Sequence, residues 1–178
     1  MKLPISISAL ILYIAIAGFY PSSCEARTFV SKEGGFTVNI PGNPKKTHTI
    51  HKSFIGKVKE TTYRLDTRKG NYSVAYSNLS GAATFFGGSN TILKKAKEGL
   101  LKNAGGREIS FKKTSLEGYP GRILEFQIPK STRSKKMQGR ARLYLVKNRL
   151  LIVVGTRKKG LSLTPLERFL NSFRLINQ

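Results

Sequence analysis

The chain is 178 residues long, with 32 Lys and Arg against 9 Asp and Glu, a net charge of +23 at pH 7 and an isoelectric point near 10.5. A field of that sign repels other copies and attracts polyanions, whether nucleic acid, anionic headgroups, envelope polymers or acidic proteins. Asp66 is the single aspartate and the glutamates are dispersed among lysines, which argues against paired-carboxylate hydrolysis and against a hard-metal site.

Met1 and Lys2 form a short positive start, Leu3 to Phe19 is almost wholly apolar or small, and Tyr20 to Ala26 is a helix-breaking, small-residue segment. That is the layout of a secretory signal peptide. The short apolar run and prompt Pro21 speak against an uncleaved membrane anchor. Ala26, with Cys24 two residues before it, fits the small-x-small rule, so cleavage is predicted after Ala26. Cys24 offers an alternative, because bacterial lipoproteins are cut before a lipid-bearing Cys; here Pro21 stands where Leu is usual. Losing both Lys2 and Glu25 leaves the charge of +23 unchanged, and a product starting at Arg27 has no cysteine. A single domain of residues 27–178 is therefore expected to fold on its core alone, in a periplasm, a thylakoid-lumen-type compartment or the medium. The apolar fraction of 39% is enough for one such core.

In chain order, Thr28 to Ser31 and Phe36 to Ile40 are short strand candidates around the turn Lys32 to Gly35, stopped by Pro41-Gly-Asn-Pro44. Lys45 to Lys52 and Val58 to Asp66 read as exposed strands joined near Gly56. After the turn Arg68-Lys-Gly70, the segment Asn71 to Ser77 puts Tyr72, Val74 and Tyr76 on one face. The period then lengthens. Ile92, Leu93, Ala96, Leu100 and Ala104 recur at helical spacing, with Lys94, Lys95, Lys97, Glu98 and Lys102 opposite. Ser89 or Asn90 is expected to cap this helix and Gly105-Gly106 to end it. Gly99 inside it costs about 1 kcal/mol relative to Ala and allows close approach to a sheet.

Strands resume at Arg107 to Lys113 and, past Gly118-Tyr-Pro-Gly121, at Arg122 to Ile128; Pro129 to Gln138 reads as a solvated loop. The densest apolar run of the mature chain follows, Arg140 to Gly155, split at Lys147-Asn-Arg149. Asn148 tolerates positive φ, so a hairpin is predicted. Arg140, Arg142, Tyr144 and Val146 share one face of its first strand, with Ala141, Leu143 and Leu145 on the other. Leu150 to Val154 is apolar throughout, which predicts cover on both faces and a central place in the sheet. Last, Thr164-Pro-Leu-Glu167 is a helix start, with Thr164 as cap, Pro165 first in the helix and Glu167 closing a capping box. Leu166, Phe169, Leu170 and Phe173 line its buried face. No internal repeat or second domain boundary is visible.

Taken together, Gly35-Phe-Thr-Val-Asn-Ile-Pro-Gly-Asn-Pro44, Tyr72 to Ser77, Gly118-Tyr-Pro-Gly-Arg122, Ala141 to Arg149 and Phe169 to Leu175 resemble a group of small exported bacterial proteins common in cyanobacteria. That group is itself similar to the PsbP family of photosystem II lumenal subunits. The resemblance implies an α+β fold, an α/β/α sandwich with a central antiparallel sheet and two main helices. It spans the mature chain, and its motifs are turns, core strands and a closing helix, so no catalytic or ligand set comes with it.

The residues themselves point away from catalysis and from a cofactor. His48 and His51 are three apart on a predicted strand, hence on opposite faces, and no Cys/His cluster suggests zinc. No Gly-x-Ser-x-Gly elbow appears. Gly87-Gly88-Ser89 before a helix lacks the phosphate-loop pattern and reads as a linker. The lysines and arginines form the clearer signal. Lys94, Lys95, Lys97 and Lys102 stud one helix; Lys130, Arg133, Lys135, Lys136, Arg140 and Arg142 form a second group, and Arg157, Lys158 and Lys159 a third. If the hairpin pairs with itself, the second and third groups lie at nearby strand ends. The expected function is an exported, non-enzymatic binding or accessory domain engaging an anionic membrane, an envelope polymer or an acidic protein. Nucleic acid is disfavoured, since Tyr144 is the only aromatic on the Arg140/Arg142 face and is expected in the core. The alternatives are a small hydrolase or transferase using a cleft near Gly87 to Ser89, or an assembly subunit of a membrane complex.

Overall fold

The computed structural model describes residues 27–53, 56–130 and 136–176, so the predicted signal peptide and Cys24 lie outside it. In chain order the elements are β1 (Arg27–Ser31), β2 (Phe36–Ile40), β3 (Lys45–Ser53), β4 (Gly56–Thr67), β5 (Gly70–Asn78), α1 (Gly81–Ala104), β6 (Arg107–Leu116), β7 (Tyr119–Ile128), β8 (Met137–Val146), β9 (Arg149–Lys158), α2 (Thr164–Asn171) and β10 (Arg174–Leu175). Seven strands form one antiparallel sheet in the order β3-β4-β5-β9-β8-β7-β6, and β1-β2-β10 form a second, smaller one. The β8–β9 hairpin sits mid-sheet, as its apolar density predicts. The edges belong to β3 and β6, the two most polar long strands.

Side-chain alternation sorts the large sheet into two faces. One carries Tyr63, Tyr72, Val74, Tyr76, Tyr144, Leu151 and Val153, packed with Leu166, Phe169, Leu170 and Phe173 of the α2 region and with Phe36, Val38 and Ile40 of β2. Each of these large side chains contributes roughly 1.5–3 kcal/mol on burial. The small sheet and α2 thus share this cover, where the sequence had suggested a helix alone. The opposite face carries Leu124, Phe126, Ala141, Leu143 and Leu145 beneath Ile92 and Leu93 of α1.

Glycines are matched to bulky partners across the ladder. Gly139 pairs directly with Phe126, and Gly121 with Tyr144. A Cβ on Gly139 would stand 2.2 Å from Phe126 Cζ, and one on Gly155 would stand 2.1 Å from Leu166 Cδ1. Each aromatic ring lies over its cross-strand glycine, and α2 settles into the notch at Gly155.

Several local expectations are corrected. Between β8 and β9 the positive φ falls on Lys147 (53°), not on Asn148. Asn148 instead ties the turn to the end of β5, its carbonyl accepting the Leu79 N–H at 2.8 Å. Tyr119-Pro-Gly121 is already strand; the turn before it is Glu117-Gly118, with φ of 51° and 82°, the paired positive values of a type I′ hairpin. β8 begins at Met137, three residues before the predicted start. Helix α1 begins at Gly81 and breaks at Gly88 (φ 59°, ψ 156°), so Gly87-Gly88-Ser89 is a kink within a helical segment, not a linker ahead of it. The cap of α2 is Leu163, one residue earlier than expected, and makes no side-chain cap bond. Ser162 Oγ accepts the Thr164 N–H (3.2 Å), and Glu167 is turned to Arg140 rather than back to the helix start.

Two measurements test this packing. Gly139→Ala should lower unfolding free energy by about 1–3 kcal/mol, since the new methyl must displace the Phe126 ring; denaturant titration reads it. Burial raises the Tyr144 phenol above its usual 10.0, against a smaller opposing pull from Arg142. The folded state therefore holds that proton more tightly than the unfolded chain. The associated stability is complete below pH 10.0 and is lost as pH rises through the folded value. Tyr144→Phe should flatten the alkaline arm of a melting-temperature profile.

Candidate functional site

Antiparallel register brings chain segments far apart in sequence to one end of the large sheet. Gly70 opposes Arg157. Met137 opposes Lys158, and Ile128 opposes Met137. The ladder continues past the strands, with the Lys158 N–H bonded to the Lys69 carbonyl (3.1 Å) and the Lys159 N–H to the Lys136 carbonyl (2.9 Å). The β4–β5 turn, the end of β9, the start of β8 and the segment after β7 thus meet. They contribute Arg68, Lys69, Lys130, Lys136, Lys158 and Lys159, of which all but half-buried Lys158 are exposed. Among the described residues, none forms an ion pair or hydrogen bond with the side chains of these six.

The residues singled out by sequence divide into three kinds. Lys130, Lys136, Lys158 and Lys159 lie in this cluster, and Arg133 and Lys135 fall outside the described residues. Arg140 and Arg142 lie on the face beneath α2 and are committed there. Arg140 donates to Glu167 at 2.5 Å and pairs with Glu125 at 3.2 Å, while Arg142 donates to the Leu170 carbonyl (3.3 Å) and to Asn171 Oδ1. These are clamps holding α2 to β8. Arg157 is the third kind. The residue is 7% exposed, and among the described residues its buried Nε finds no acceptor and no carboxylate pairs with it. A buried N–H left without an acceptor costs about 1–3 kcal/mol.

The lysines of α1 do not converge with this cluster. Lys97 pairs with Glu108 at 2.7 Å and lies over the Phe111 ring; Lys95 pairs with Glu98 at 3.2 Å; Lys94 and Lys102 are exposed. His48 and His51 lie on edge strand β3, and the His48 ring meets Thr61 Oγ1 at 3.0 Å. No group of three or more metal-ligating side chains occurs among the described residues.

A second feature adjoins the cationic end. Sequence predicted cover on both faces of β9, and one face is only partly covered. Leu151 and Val153 are buried, whereas Leu150, Ile152 and Val154 are half-buried in a groove of about 790 Å³. Its cause is local. Helix α1 packs on β7 and β8, and the β5 residues on that face are small: Ser73, Ala75 and Ser77. Gly99 faces the same space, and a Cβ there would meet nothing within 4 Å, so the helix stands off the sheet instead of approaching it. Thr156, 4% exposed, lines one end, and its hydroxyl has no hydrogen-bond partner among the described residues. Sequence reading missed Arg68, Lys69 and this groove. Their positions depend on β5 pairing with β9, a contact between segments about 80 residues apart that no local pattern encodes.

No protein-family model matches this sequence, and no curated protein matches it. Solved structures do. Cyanobacterial PsbP (CyanoP) from Synechocystis sp. PCC 6803 superposes with a TM-score of 0.59, covering 85% of this chain and 93% of that one at 13% identity. The chain has a PsbP-type fold. A protein from Bacteroides thetaiotaomicron gives a TM-score of 0.51 at 12% identity, over 86% of this chain and 50% of the other. The backbone is what cyanobacterial PsbP shares with the present chain, as the resemblance of its turn and core-strand motifs implied.

Arg157 supplies a test of the cluster's electrostatics. Arg157→Met should stabilise the protein by on the order of 1 kcal/mol, because it removes a buried N–H that has no acceptor among the described residues. Added phosphate should raise the melting temperature of the unaltered protein more than that of Arg157→Met.

Proposed function

We propose that residues 27–178 form a single exported, non-enzymatic accessory domain with a PsbP-type fold that docks on an anionic membrane surface through the cationic end of its large sheet. The leader of residues 1–26 supports export. The observation that carries the docking surface is the register: four separate segments deliver Arg68, Lys69, Lys130, Lys136, Lys158 and Lys159 to one end, and among the described residues no carboxylate pairs with them. Unpaired, exposed lysines are the form of positive charge that anionic headgroups attract, about 1 kcal/mol for each near the surface. Tyr144 is 3% exposed and stacked on Phe173, so its ring is not presented as a platform for single-stranded nucleic acid. Among the described residues no helix is long and apolar enough to cross a membrane, which suits docking by charge.

The test replaces Lys69, Lys130, Lys136 and Lys159 with Gln and measures sedimentation with phosphatidylglycerol/phosphatidylcholine vesicles. At about 1 kcal/mol per lysine, binding should fall by two orders of magnitude or more. The salt dependence should flatten. Equal binding by the altered protein would reject this surface, and retention on heparin without vesicle binding would point to an envelope polymer instead.

A further inference from the structure

We propose that the groove between α1 and the β4–β5–β9 half of the sheet binds a single-chain anionic amphiphile of the long-chain carboxylate type, with its head at Thr156. This deepens the docking reading and rests on it for the source of such molecules, an anionic membrane.

The groove's volume of about 790 Å³ lies within the range usual for small-molecule sites, about 300–1,000 Å³. Its walls differ in chemistry. One is aliphatic and continuous, with Leu150, Ile152 and Val154 of β9 facing Ile92, Ala96 and Leu100 of α1. The row from Leu150 to Thr156 extends about 20 Å at the rise of a strand, a length suited to an extended alkyl chain. Apolar surface of this kind left half-covered marks a place where something binds. The other wall is built from small or hydroxyl-bearing residues of β4 and β5, chiefly Thr62, Ser73, Ala75 and Ser77, which leave depth without adding bulk.

Polar groups set the direction. At one end Thr156 holds a buried hydroxyl with no partner among the described residues, a cost of about 1–3 kcal/mol unless an incoming group engages it. Two residues on, Lys158 shares its face by alternation and carries no carboxylate partner. Toward the opposite end lies Glu60, whose carboxylate accepts from Thr62 Oγ1 at 3.2 Å. Arg64 and Lys95 along the rim are already matched, Arg64 by Asp66 at 2.8 Å and Lys95 by Glu98 at 3.2 Å. The unspent attraction is therefore at Thr156 and Lys158. A carboxylate placed there accepts from the hydroxyl, and its chain runs along β9 toward Leu150. The same end adjoins Lys69 and Lys136, where a headgroup leaving the bilayer arrives.

The experiment titrates the full chain with palmitate below its micellar range, with 1-hexadecanol and acetate as the neutral-head and chainless controls. Saturable palmitate binding is expected, with weaker hexadecanol binding and none for acetate. Gly99→Phe fills the groove from the helix side and replaces a residue that costs helix stability, so it should fold while weakening palmitate at least tenfold. Ala96→Phe is the second block should Gly99→Phe fail to fold. Thr156→Val, nearly isosteric, should remove most of the palmitate-over-hexadecanol preference. Absence of saturable palmitate binding, or unchanged binding after a folded block, overturns the groove; equal affinity for palmitate and hexadecanol overturns the head position. The Lys69, Lys130, Lys136 and Lys159 replacements leave Lys158 in place and should keep palmitate binding while losing vesicles. That separates failure of the groove from failure of the docking surface.

Discussion

Strand β9 pairs with β5 on one side and β8 on the other, and its side chains alternate between two environments: Leu151, Val153 and Gly155 toward α2, and Leu150, Ile152 and Val154 toward α1. A slip of one residue would exchange the two sets, pushing Leu166 against a branched side chain where Gly155 now receives it. The hairpin register is consequently fixed from both faces at once. Because this ladder joins the β3-β4-β5 part of the large sheet to the β8-β7-β6 part, the same register decides where the chain's cations end up. Lys158 and Lys159 emerge beside Lys136 and Lys69 only because Arg157 lies opposite Gly70 and Gln138.

The strands were legible because alternation is a local property: Tyr72, Val74 and Tyr76 against Ser73, Ala75 and Ser77 declares its own faces. The amphipathic stretch from Ile92 to Ala104 was legible for the same reason, at a different period. The first turns of α1 were not, since Gly81 to Gly87 carries no repeating polar face and the break at Gly88 is a matter of backbone φ. The cap of α2 escaped because Glu167, well placed for a capping box, finds a stronger partner in Arg140 across the sheet. Tertiary charge pairing overrode a local motif.

Among the basic residues, position in the alternation matters more than charge. Arg140 and Arg142 sit on the face beneath α2, where guanidinium planarity lets each reach two acceptors, and they fasten helix to sheet. The exposed lysines at the sheet's end have flexible stems and no carboxylates, so their field is turned outward. Sequence grouped these residues together because they are neighbours along the chain. Folding separates them into structural and outward-facing sets. The groove arises by a comparable division, since α1 can cover β7 and β8 or β5 and β9, and the small side chains of β5 give it little to grip.

The two edges of the large sheet carry a further implication. β3 and β6 expose backbone hydrogen-bonding rows, and each also shows a bare aliphatic side chain, Ile50 at 69% and Ile109 at 56% exposure. Such edges invite another sheet to join them. Here each is ringed by lysines, Lys45 and Lys46 on β3 and Lys112 and Lys113 on β6, on a molecule whose copies already repel one another. Colloidal solubility is thus conditional on ionic strength: in dilute salt mutual repulsion keeps the edges apart, and in strong brine, with a Debye length of only about 3 Å, strand-to-strand aggregation loses its main barrier.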